Sequence, residues 1–278
     1  MKKFFGLLLL CSIIALSFTQ VRTVRERQPQ KDTSYISSNE SLLMAVLWYQ
    51  RSAEMRALYY QGYNLAKLRL DECIQNQKDT MKKAVIVDVD ETILDNSPLE
   101  ADFIKNNEDY DPQTNWKKWV NEMDAKAVPG AVDFLNYAKS KNVEVFYISN
   151  RSAKSELQPT MHNLKKERFP YVDEQHCLFK VDKDTTNKEA RRKQVAKKYD
   201  IILLLGDNMS DFAAIFDNRG KDFGFAKVDA MKNDWGKKFI VLPNPMYGDW
   251  DKVVLKNNFS LSDKEKSLLR KKNLIYTK

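Results

Sequence analysis

A short apolar segment that ends in two carboxylates places the strongest constraint on how this chain of 278 residues can fold. Residues 84–87 are uncharged and mostly β-branched, which predicts a buried strand of a parallel sheet. Asp88 follows directly, and Asp90 lies on the same side of an extended chain. Ligands of open α/β sheets bind beyond the carboxyl ends of the strands. The two acids therefore need a cation, a shared proton, or separate roles as nucleophile and acid, unless they only form an acidic loop after a core strand.

Two further strand-like segments also end in polar residues. Residues 143–148 lead into Ser149 and Asn150, and residues 200–205 lead into a segment that contains Asp207 and Asp211. Between them, the Thr-Thr-Asn sequence at 185–187 is typical of a helix N-cap and precedes Lys188. A phosphoryl-transfer site needs a nucleophile, an anion cradle, a positive counter-charge and metal ligands. The ordered set of acids, hydroxyl, amide and lysine supplies these parts, and the pattern predicts an α/β fold with a Rossmann-like parallel sheet.

Several segments distributed over the chain carry a resemblance to a known family. They are DVDETILDNSP at 88–98, VPGAV at 128–132, YISNR at 147–151, GDNMSDF at 206–212 and LPNPMYGDW at 242–250, together with AVLWYQ at 45–50 and YNLAK at 63–67. With them the chain resembles the haloacid dehalogenase (HAD) superfamily, and within it the class C acid phosphatases of the lipoprotein e family, which include bacterial 5′-nucleotidase-like proteins. The resemblance implies a HAD-type core sheet with a small helical cap domain.

The same resemblance implies a role for each residue at the strand ends. Asp88 is expected to be the nucleophile and Asp90 the general acid and base, while Ser149, Asn150 and Lys188 bind the phosphoryl oxygens. A bound Mg²⁺ is expected to have ligands at Asp88, Asp90 (through its backbone carbonyl), Asp207 and Asp211. For Asp211, two other roles stay open, the orientation of Lys188 and a favourable interaction with a helix N-terminus.

Two aromatic residues are expected to set the choice of substrate. By resemblance, Trp116 and Tyr247 match a pair that sandwiches a nucleobase or an aromatic leaving group, so nucleoside 5′-monophosphates and aryl phosphates are the expected substrates. The alternative is that Trp116 is a core residue of the helical domain. The residue before it is Asn115, where the family often has an acid, so the fine selectivity of this chain stays open.

The function predicted from these residues is an Mg²⁺-dependent acid phosphatase that acts on small phosphomonoesters through an aspartyl-phosphate. A phosphotransferase would share this intermediate. The alternative from another class is an envelope protein that binds or transports a ligand such as haem, with a secondary phosphatase activity. Haem ligation usually involves His, Met, Cys or Tyr, but His162 and His176 lie in no ligand motif and are expected at the surface.

The formal net charge is +8, yet the basic residues do not alternate with aromatic residues in one stripe, which argues against nucleic-acid binding.

The first residues are typical of an export signal. Lys2 and Lys3 precede an apolar stretch that is short for a membrane span but suited to the h-region of a signal peptide, predicted over residues 1–19. Two processing routes stay open, a lipid anchor on Cys11 or simple secretory cleavage near residues 17–19. The expected location is the periplasm or an outer-membrane anchor in a bacterial cell envelope, with contact to the membrane only through the signal or the lipid.

The rest of the chain divides into a tether, a helical segment and a core. Residues 20–38 are predicted to be a flexible tether, and residues 39–81 two helices that break near Gln61 and Gly62 or earlier. Residues 82–278 are predicted to form the phosphatase core, with a helical insertion at about 98–127 that packs with the N-terminal helices over the site. Cys73 and Cys177 are expected to be unpaired buried thiols, although an oxidising envelope would permit a bridge. A homodimer is compatible with the sequence.

Overall fold

Five parallel strands form the main sheet in the computed structural model, which describes residues 37–75, 81–181, 187–258 and 260–277. In their order across the sheet, the strands are β5 (Cys177–Lys180), β4 (Glu144–Ser152), β1 (Lys83–Val87), β6 (Asp200–Gly206) and β7 (Phe239–Val241). The central strand β1 pairs with β4 on one side and with β6 on the other. The three segments predicted as strands are therefore three neighbours, and the predicted fold class is confirmed.

Helices cover both faces of this sheet. In chain order, the α-helices of the described residues are α1 (Ser38–Arg51), α2 (Ala53–Gln75), α3 (Ser97–Asn106), α4 (Asn115–Glu122), α5 (Ala131–Ser140), α6 (Leu157–Lys166), α7 (Glu189–Ala196), α8 (Phe225–Ala230), α9 (Asp249–Val254) and α10 (Asp263–Lys272). Alternate residues of β1 point to opposite faces. Val85 and Val87 join the core that contains α2 and α5, whereas Ala84 and Ile86 join a second core with Val195 of α7. This burial on both faces explains why residues 84–87 of β1 are all apolar.

The insertion between β1 and β4 contains α3 and α4. A short antiparallel pair, β2 (Leu94–Asp95) and β3 (Lys126–Ala127), joins the two ends of the insertion to each other. Pro98 lies in the first turn of α3, where its missing N–H has no cost. α5 follows β3 and begins at Ala131, with Gly130 as its N-cap residue in the left-handed conformation.

The N-terminal segment forms two helices that separate at Ser52, earlier than Gln61 and Gly62. At the end of α1, the Ser52 N–H donates to the Trp48 carbonyl at 3.0 Å. At the start of α2, the Ser52 Oγ accepts from the Met55 N–H at 3.1 Å. Gly62 lies inside α2, where a Cβ would come within 2.7 Å of the Leu242 side chain. Glycine thus lets α2 pack closely on the chain after β7 instead of ending the helix.

Several of the sequence-based predictions concern residues that the structure does not describe. The signal peptide, Cys11, nearly all of the tether, and the threonines at 185 and 186 lie outside the described residues, and the domain boundaries stay predictions. Over the described ranges, no helix combines the length and apolarity that crossing a bilayer requires. Cys73 is half-buried and Cys177 buried, and both are free thiols.

Candidate active site

Three neighbouring strands bring the predicted site residues to one edge of the sheet. Asp88 follows β1 directly, Ser149 lies near the end of β4, and Asp207 follows β6. The chain moves from one side of β1 to the other between β5 and β6. This edge is therefore the topological switch point at which open α/β sheets bind ligands. The strand order explains why residues far apart in sequence meet there.

Asp88, Asp207 and Asp211 form a cluster of acids at this edge. Each offers a carboxylate oxygen, and these oxygens lie within 4.8 Å of one another. Asp88 and Asp211 are buried and Asp207 is half-buried. Carboxylate oxygens are the ligands that hard divalent cations prefer. The donor set fits a divalent metal ion, and it brings together three of the four residues predicted as metal ligands.

Lys188 supplies positive charge to this acid cluster. It is the N-cap residue of α7 and is only 4% exposed. Its Nζ donates to Asp88 Oδ1 and, at 2.7 Å, to Asp211 Oδ1. Burial alone lowers the pKa of Lys188, but the carboxylates of Asp211 and Asp88 outweigh it and raise that pKa above the ordinary lysine value. Lys188 therefore carries its charge in contact with Asp88, where a phosphoryl group on that residue would need it.

The acid cluster holds more negative charge than Lys188 balances. Burial raises the pKa of Asp88 to about 7; Asp211 and Asp90 add to this effect, and Lys188 opposes it. Burial, Asp211 and Asp88 also raise the pKa of Asp207 well above the ordinary value. A divalent cation among these oxygens would stabilise their ionised forms. The electrostatics of the cluster thus agree with its geometry as a cation site.

Asp211 ends a short turn as well as contacting Lys188. A 3₁₀ turn spans Met209–Asp211, and Asp211 Oδ2 accepts a hydrogen bond from the Asn208 N–H at 3.0 Å within a capping box. A Cβ at Gly206 would lie 2.5 Å from atoms of the Asp211 side chain. Glycine at the end of β6 therefore lets this carboxylate approach the site. The structure gives Asp211 both the helix-terminus contact and the contact with Lys188.

Asp90 lies apart from the acid cluster and is held by an arginine. Arg151 Nη2 donates to Asp90 Oδ1 at 2.7 Å, and its Nε donates to Oδ1 at 3.0 Å and to Oδ2 at 3.3 Å. Asn96 Nδ2 also donates to Asp90 Oδ1, at 2.9 Å. The Arg151 side chain is 2% exposed, and that of Asp90 is 21% exposed. Two parallel N–H donors fix the plane of a carboxylate as well as its position. The structure therefore gives Asp90 a defined orientation, while a metal contact through its backbone carbonyl stays a prediction.

Arg151 is the site residue that the sequence analysis most clearly missed. β4 continues through Ser149 to Ser152, so Arg151 lies two positions after Ser149 on the same side of an extended chain. Its Nη1 also donates to Thr160 Oγ1 at 2.9 Å. The available signal was an arginine two residues after a serine expected at a strand end. The pairing with Asp90 depends on the register of β4 beside β1, which the sequence does not contain.

Ser149 and Asn150 both accept hydrogen bonds from Arg191 of α7. Ser149 is fully buried, and its Oγ accepts from the Arg151 N–H at 3.0 Å. Arg191 donates from Nη1 to the Ser149 carbonyl and from Nη2 to Asn150 Oδ1 at 2.8 Å. The side-chain oxygen of the exposed Asn150 is thus engaged, so its N–H groups are the atoms available to an anion.

Asp207 is held by two side chains that were not among the predicted site residues. Thr92 Oγ1 lies 3.3 Å from Asp207 Oδ1 and donates to it, and Asn244 Nδ2 donates to Asp207 Oδ2 at 2.9 Å. Both residues lie in segments that carry the family resemblance, which was the available signal. Together they fix both oxygens of the carboxylate.

The two predicted substrate-binding aromatics approach the site from different elements. Trp116 lies on α4, with the Arg151 guanidinium 5.1 Å from its ring centroid and the exposed ring of Tyr110 at 6.0 Å. Tyr247 lies in the loop after β7, and its N–H donates to Asn244 Oδ1 at 3.4 Å. No ring contact joins Trp116 to Tyr247 among the described residues. Trp116 therefore lies against Arg151, which holds Asp90, and Tyr247 lies against Asn244, which holds Asp207. The two rings do not stack on each other.

The two histidines, His162 and His176, do not form a pair that could ligate haem iron. The expectation that both lie at the surface is wrong for His176, which is buried, whereas His162 is exposed. The ring nitrogens of His176 lie 2.7 Å from Asp173 Oδ1 and Glu144 Oε2, and these carboxylates compensate for its burial. Glu144 begins β4, at the opposite edge of the sheet from Ser149. With both nitrogens engaged, His176 is not available to ligate haem iron.

Comparisons with known proteins show which proteins the chain is similar to. A family model described as HAD superfamily, subfamily IIIB (acid phosphatase) matches residues 15–250. The chain is similar to the class C acid phosphatase from Bacillus anthracis, with 41% identity, a TM-score of 0.82, and coverage of 87% of this chain and 100% of the other. A crystal structure of that phosphatase with tungstate bound gives 41% identity, a TM-score of 0.81, and coverage of 87% and 99%. The stem 31 kDa glycoprotein of Glycine max is 29% identical over 167 residues, and the match spans 58% of each chain.

Proposed function

Because the chain belongs to subfamily IIIB of the HAD superfamily, the acid phosphatases, we propose that it hydrolyses phosphomonoesters through a covalent phosphate on Asp88. The observation that carries this proposal is the position of Asp88. It is buried at the end of the central strand, in contact with Lys188 and within one cluster with Asp207 and Asp211. A carboxylate in that position can act as a nucleophile, because its neighbours can balance the charge of a bound phosphoryl group.

The proposed reaction has two steps at phosphorus. In the first, an Asp88 carboxylate oxygen forms a bond to phosphorus while the bond from phosphorus to the ester oxygen breaks. Asp90 gives its proton to the departing oxygen, which leaves as the alcohol. In the second step Asp90 takes a proton from water, the water oxygen attacks phosphorus, and Asp88 leaves as a free carboxylate. The orientation that Arg151 and Asn96 give to Asp90 supports this shared role.

The phosphoryl oxygens are proposed to bind Lys188, Ser149 and Asn150. The Lys188 ammonium already lies against Asp88, and the N–H groups of Asn150 are free of the contact that Arg191 makes to its oxygen. Such donors stabilise the charge that develops on the transferring group. One solved relative was crystallised with tungstate, which is a tetrahedral oxyanion like phosphate. That structure supports an oxyanion site in the relative and, by similarity, the proposal made for this chain.

We propose Mg²⁺ as the divalent cation at the acid cluster. Asp88, Asp207 and Asp211 would hold it with hard oxygen donors, and the Asp90 backbone carbonyl is a further proposed ligand. Bound there, the ion would supply positive charge to the phosphoryl oxygens. Thr92 and Asn244 hold the Asp207 carboxylate in the orientation that the cluster requires.

The proposed substrates are small phosphomonoesters that carry a nucleobase or an aromatic leaving group, namely nucleoside 5′-monophosphates and aryl phosphates. Trp116 and Tyr247 are the proposed contacts for that group, and the exposed Tyr110 ring beside Trp116 extends the aromatic surface. Stacking of a base on an aromatic side chain contributes about 1–3 kcal/mol for each base. The aromatic residues are thus proposed to act on substrate affinity more than on the chemical step.

We also propose that the protein is exported. The charged start and apolar stretch of residues 1–19 support a signal peptide. Processing at Cys11 would give a lipid anchor, whereas cleavage at a later site would release the protein into the periplasm. A homodimer remains a proposal from sequence. Mass spectrometry of the mature N-terminus would distinguish the two processing routes.

Steady-state phosphate release from a panel of aryl, nucleoside and alkyl phosphates tests the proposed function. Activity should require Mg²⁺, be lost with a chelator, and fall by about a thousandfold or more in Asp88→Asn. Asp133→Asn, which changes an exposed acid on α5, is the matched control and should keep full activity. An Asp88→Asn protein with normal turnover would refute the proposal. Addition of an alcohol acceptor separates hydrolysis from phosphoryl transfer to another acceptor.

A further inference from the structure

Two tyrosines of α2 contact the backbone of the loop that carries Asp88 and Asp90. Tyr59 and Tyr63 lie one helical turn apart on the same face of α2, and they are 0% and 2% exposed. The Tyr59 hydroxyl donates to the Glu91 carbonyl, and the Tyr63 hydroxyl donates to the Thr92 carbonyl at 2.5 Å. An N-terminal helix thus binds the carbonyl groups of the two residues that directly follow Asp90.

This loop contains a backbone conformation that needs support. Glu91 has φ of +51°, in the left-handed region that is unfavourable for a residue with a Cβ. Its carboxylate is fully buried and accepts from the Asn96 N–H at 2.7 Å and from Asn96 Nδ2 at 3.1 Å. Asn96 therefore holds the side chain of Glu91, and Tyr59 holds its backbone carbonyl.

The same tyrosines border both side chains that hold Asp207. Tyr63 bonds the backbone of Thr92, whose hydroxyl donates to Asp207 Oδ1. Tyr59 also lies 3.3 Å from the carbonyl of Pro243, the residue before Asn244, whose amide donates to Asp207 Oδ2. A shift of the Tyr63 hydroxyl would therefore reach Asp207 through Thr92 alone, and a shift of the Tyr59 hydroxyl would reach it through Pro243 and Asn244.

A third tyrosine completes the network from α1. Tyr49 and Tyr59 have hydroxyl oxygens 2.5 Å apart and rings in an edge-to-face arrangement. Tyr59 has one hydroxyl proton, and the Glu91 carbonyl accepts it, so Tyr49 is the donor in the contact between the two tyrosines. Donation by Tyr49 strengthens the bond that Tyr59 gives to Glu91.

We propose that Tyr59 and Tyr63 are positioning residues, which fix the Glu91–Thr92 backbone and thereby orient Asp90 and Asp207. The inference rests on the proposed function, but it adds α2 to the parts of the chain on which the reaction depends. Loss of either hydroxyl would leave a buried carbonyl without a donor and let the loop relax. A relaxed loop would weaken the site even though no group that touches the substrate has been removed.

Single Tyr→Phe substitutions test this role against a matched control. Tyr147 is also fully buried, and its hydroxyl donates to the Pro170 carbonyl at 2.6 Å, so Tyr147→Phe removes one equally buried hydrogen bond away from the site. Tyr59→Phe and Tyr63→Phe should each lower kcat by about tenfold and change KM by less than about twofold. Both should weaken Mg²⁺ binding measured by calorimetry on the substrate-free protein. Tyr147→Phe should lose comparable thermal stability and keep wild-type kcat and Mg²⁺ affinity.

Equal kcat and Mg²⁺ affinity in Tyr59→Phe, Tyr63→Phe and Tyr147→Phe would overturn the proposal. If Tyr59→Phe does not fold, Tyr63→Phe and Tyr49→Phe provide the same comparison, and Tyr49→Phe should give a smaller loss of kcat in the same direction. A wild-type protein without phosphatase activity would refute the proposed function, and the proposal with it. That outcome differs from an active wild type whose tyrosine variants match the control.

Discussion

Glu100 is a buried carboxyl whose removal should stabilise the protein above neutral pH. It lies on α3, one turn after Asn96, and is 9% exposed. Its carboxyl has no hydrogen-bond or ion-pair partner among the described residues, and burial raises its pKa from 4.5 to about 7. Glu100→Gln keeps the shape of the protonated side chain and removes its ability to ionise.

The magnitude and sign follow from that pKa. A rise from 4.5 to about 7, at about 1.4 kcal/mol for each pKa unit, corresponds to about 3 kcal/mol. The folded protein holds this proton more tightly than the unfolded chain, so the free energy of unfolding falls as the pH rises from 4.5 to about 7. Glu100→Gln should therefore match the wild type below that window and be more stable by up to about 3 kcal/mol above it.

Urea unfolding at intervals from about pH 4 to about pH 8 measures this difference directly. Glu108→Gln, which changes an exposed acid just beyond α3, is the matched control and should show a difference from wild type that does not vary with pH. If Glu100→Gln is equally stable at every pH, or less stable than wild type at high pH, the reasoning fails. That result would mean that the carboxyl is ionised with a partner in the folded protein.

Three further predictions concern the site itself. Arg151→Lys should lower kcat by about tenfold to a hundredfold in steady-state assays, since a lysine cannot hold Asp90 with two parallel donors, and an unchanged kcat would contradict that role. Gly206→Ala should lower the free energy of unfolding by about 1–3 kcal/mol in urea, because the added Cβ meets Asp211, and equal stability would show that the turn can move. Trp116→Leu should raise KM by about tenfold for aryl and nucleoside phosphates but not for an alkyl phosphate, and equal effects on all three would argue against stacking.

The strand ends could be predicted from sequence because buried parallel strands have a simple pattern. A mostly apolar run stops where a side chain must reach water or a ligand, and Asp88, Ser149 and Asp207 mark those points on three strands. The switch-point rule then places them at one edge. Lys188 could also be predicted, because the Thr-Thr-Asn sequence before it marks the start of a helix, and the start of α7 is local information.

The contacts that orient these residues could not be predicted, because each depends on how distant elements pack. The pairing of Arg151 with Asp90 needs the register of two strands, and the contact of Tyr59 with Glu91 needs the docking of α2 on the sheet domain. The same reason explains why the surroundings of Gly62 and His176 could not be predicted from sequence. Gly62 continues a helix because Leu242 packs against it, and His176 is buried because two carboxylates meet its ring.

Identification of a phosphorylated residue tests the central claim most directly. The wild-type protein would be mixed with a phosphomonoester and Mg²⁺, quenched in acid within the first turnover, and digested for mass spectrometry. A phosphoryl group on Asp88 that is absent from Asp88→Asn and disappears as turnover proceeds is the expected result. A phosphoryl group on another residue, or hydrolysis at full rate with none on Asp88, would contradict the account.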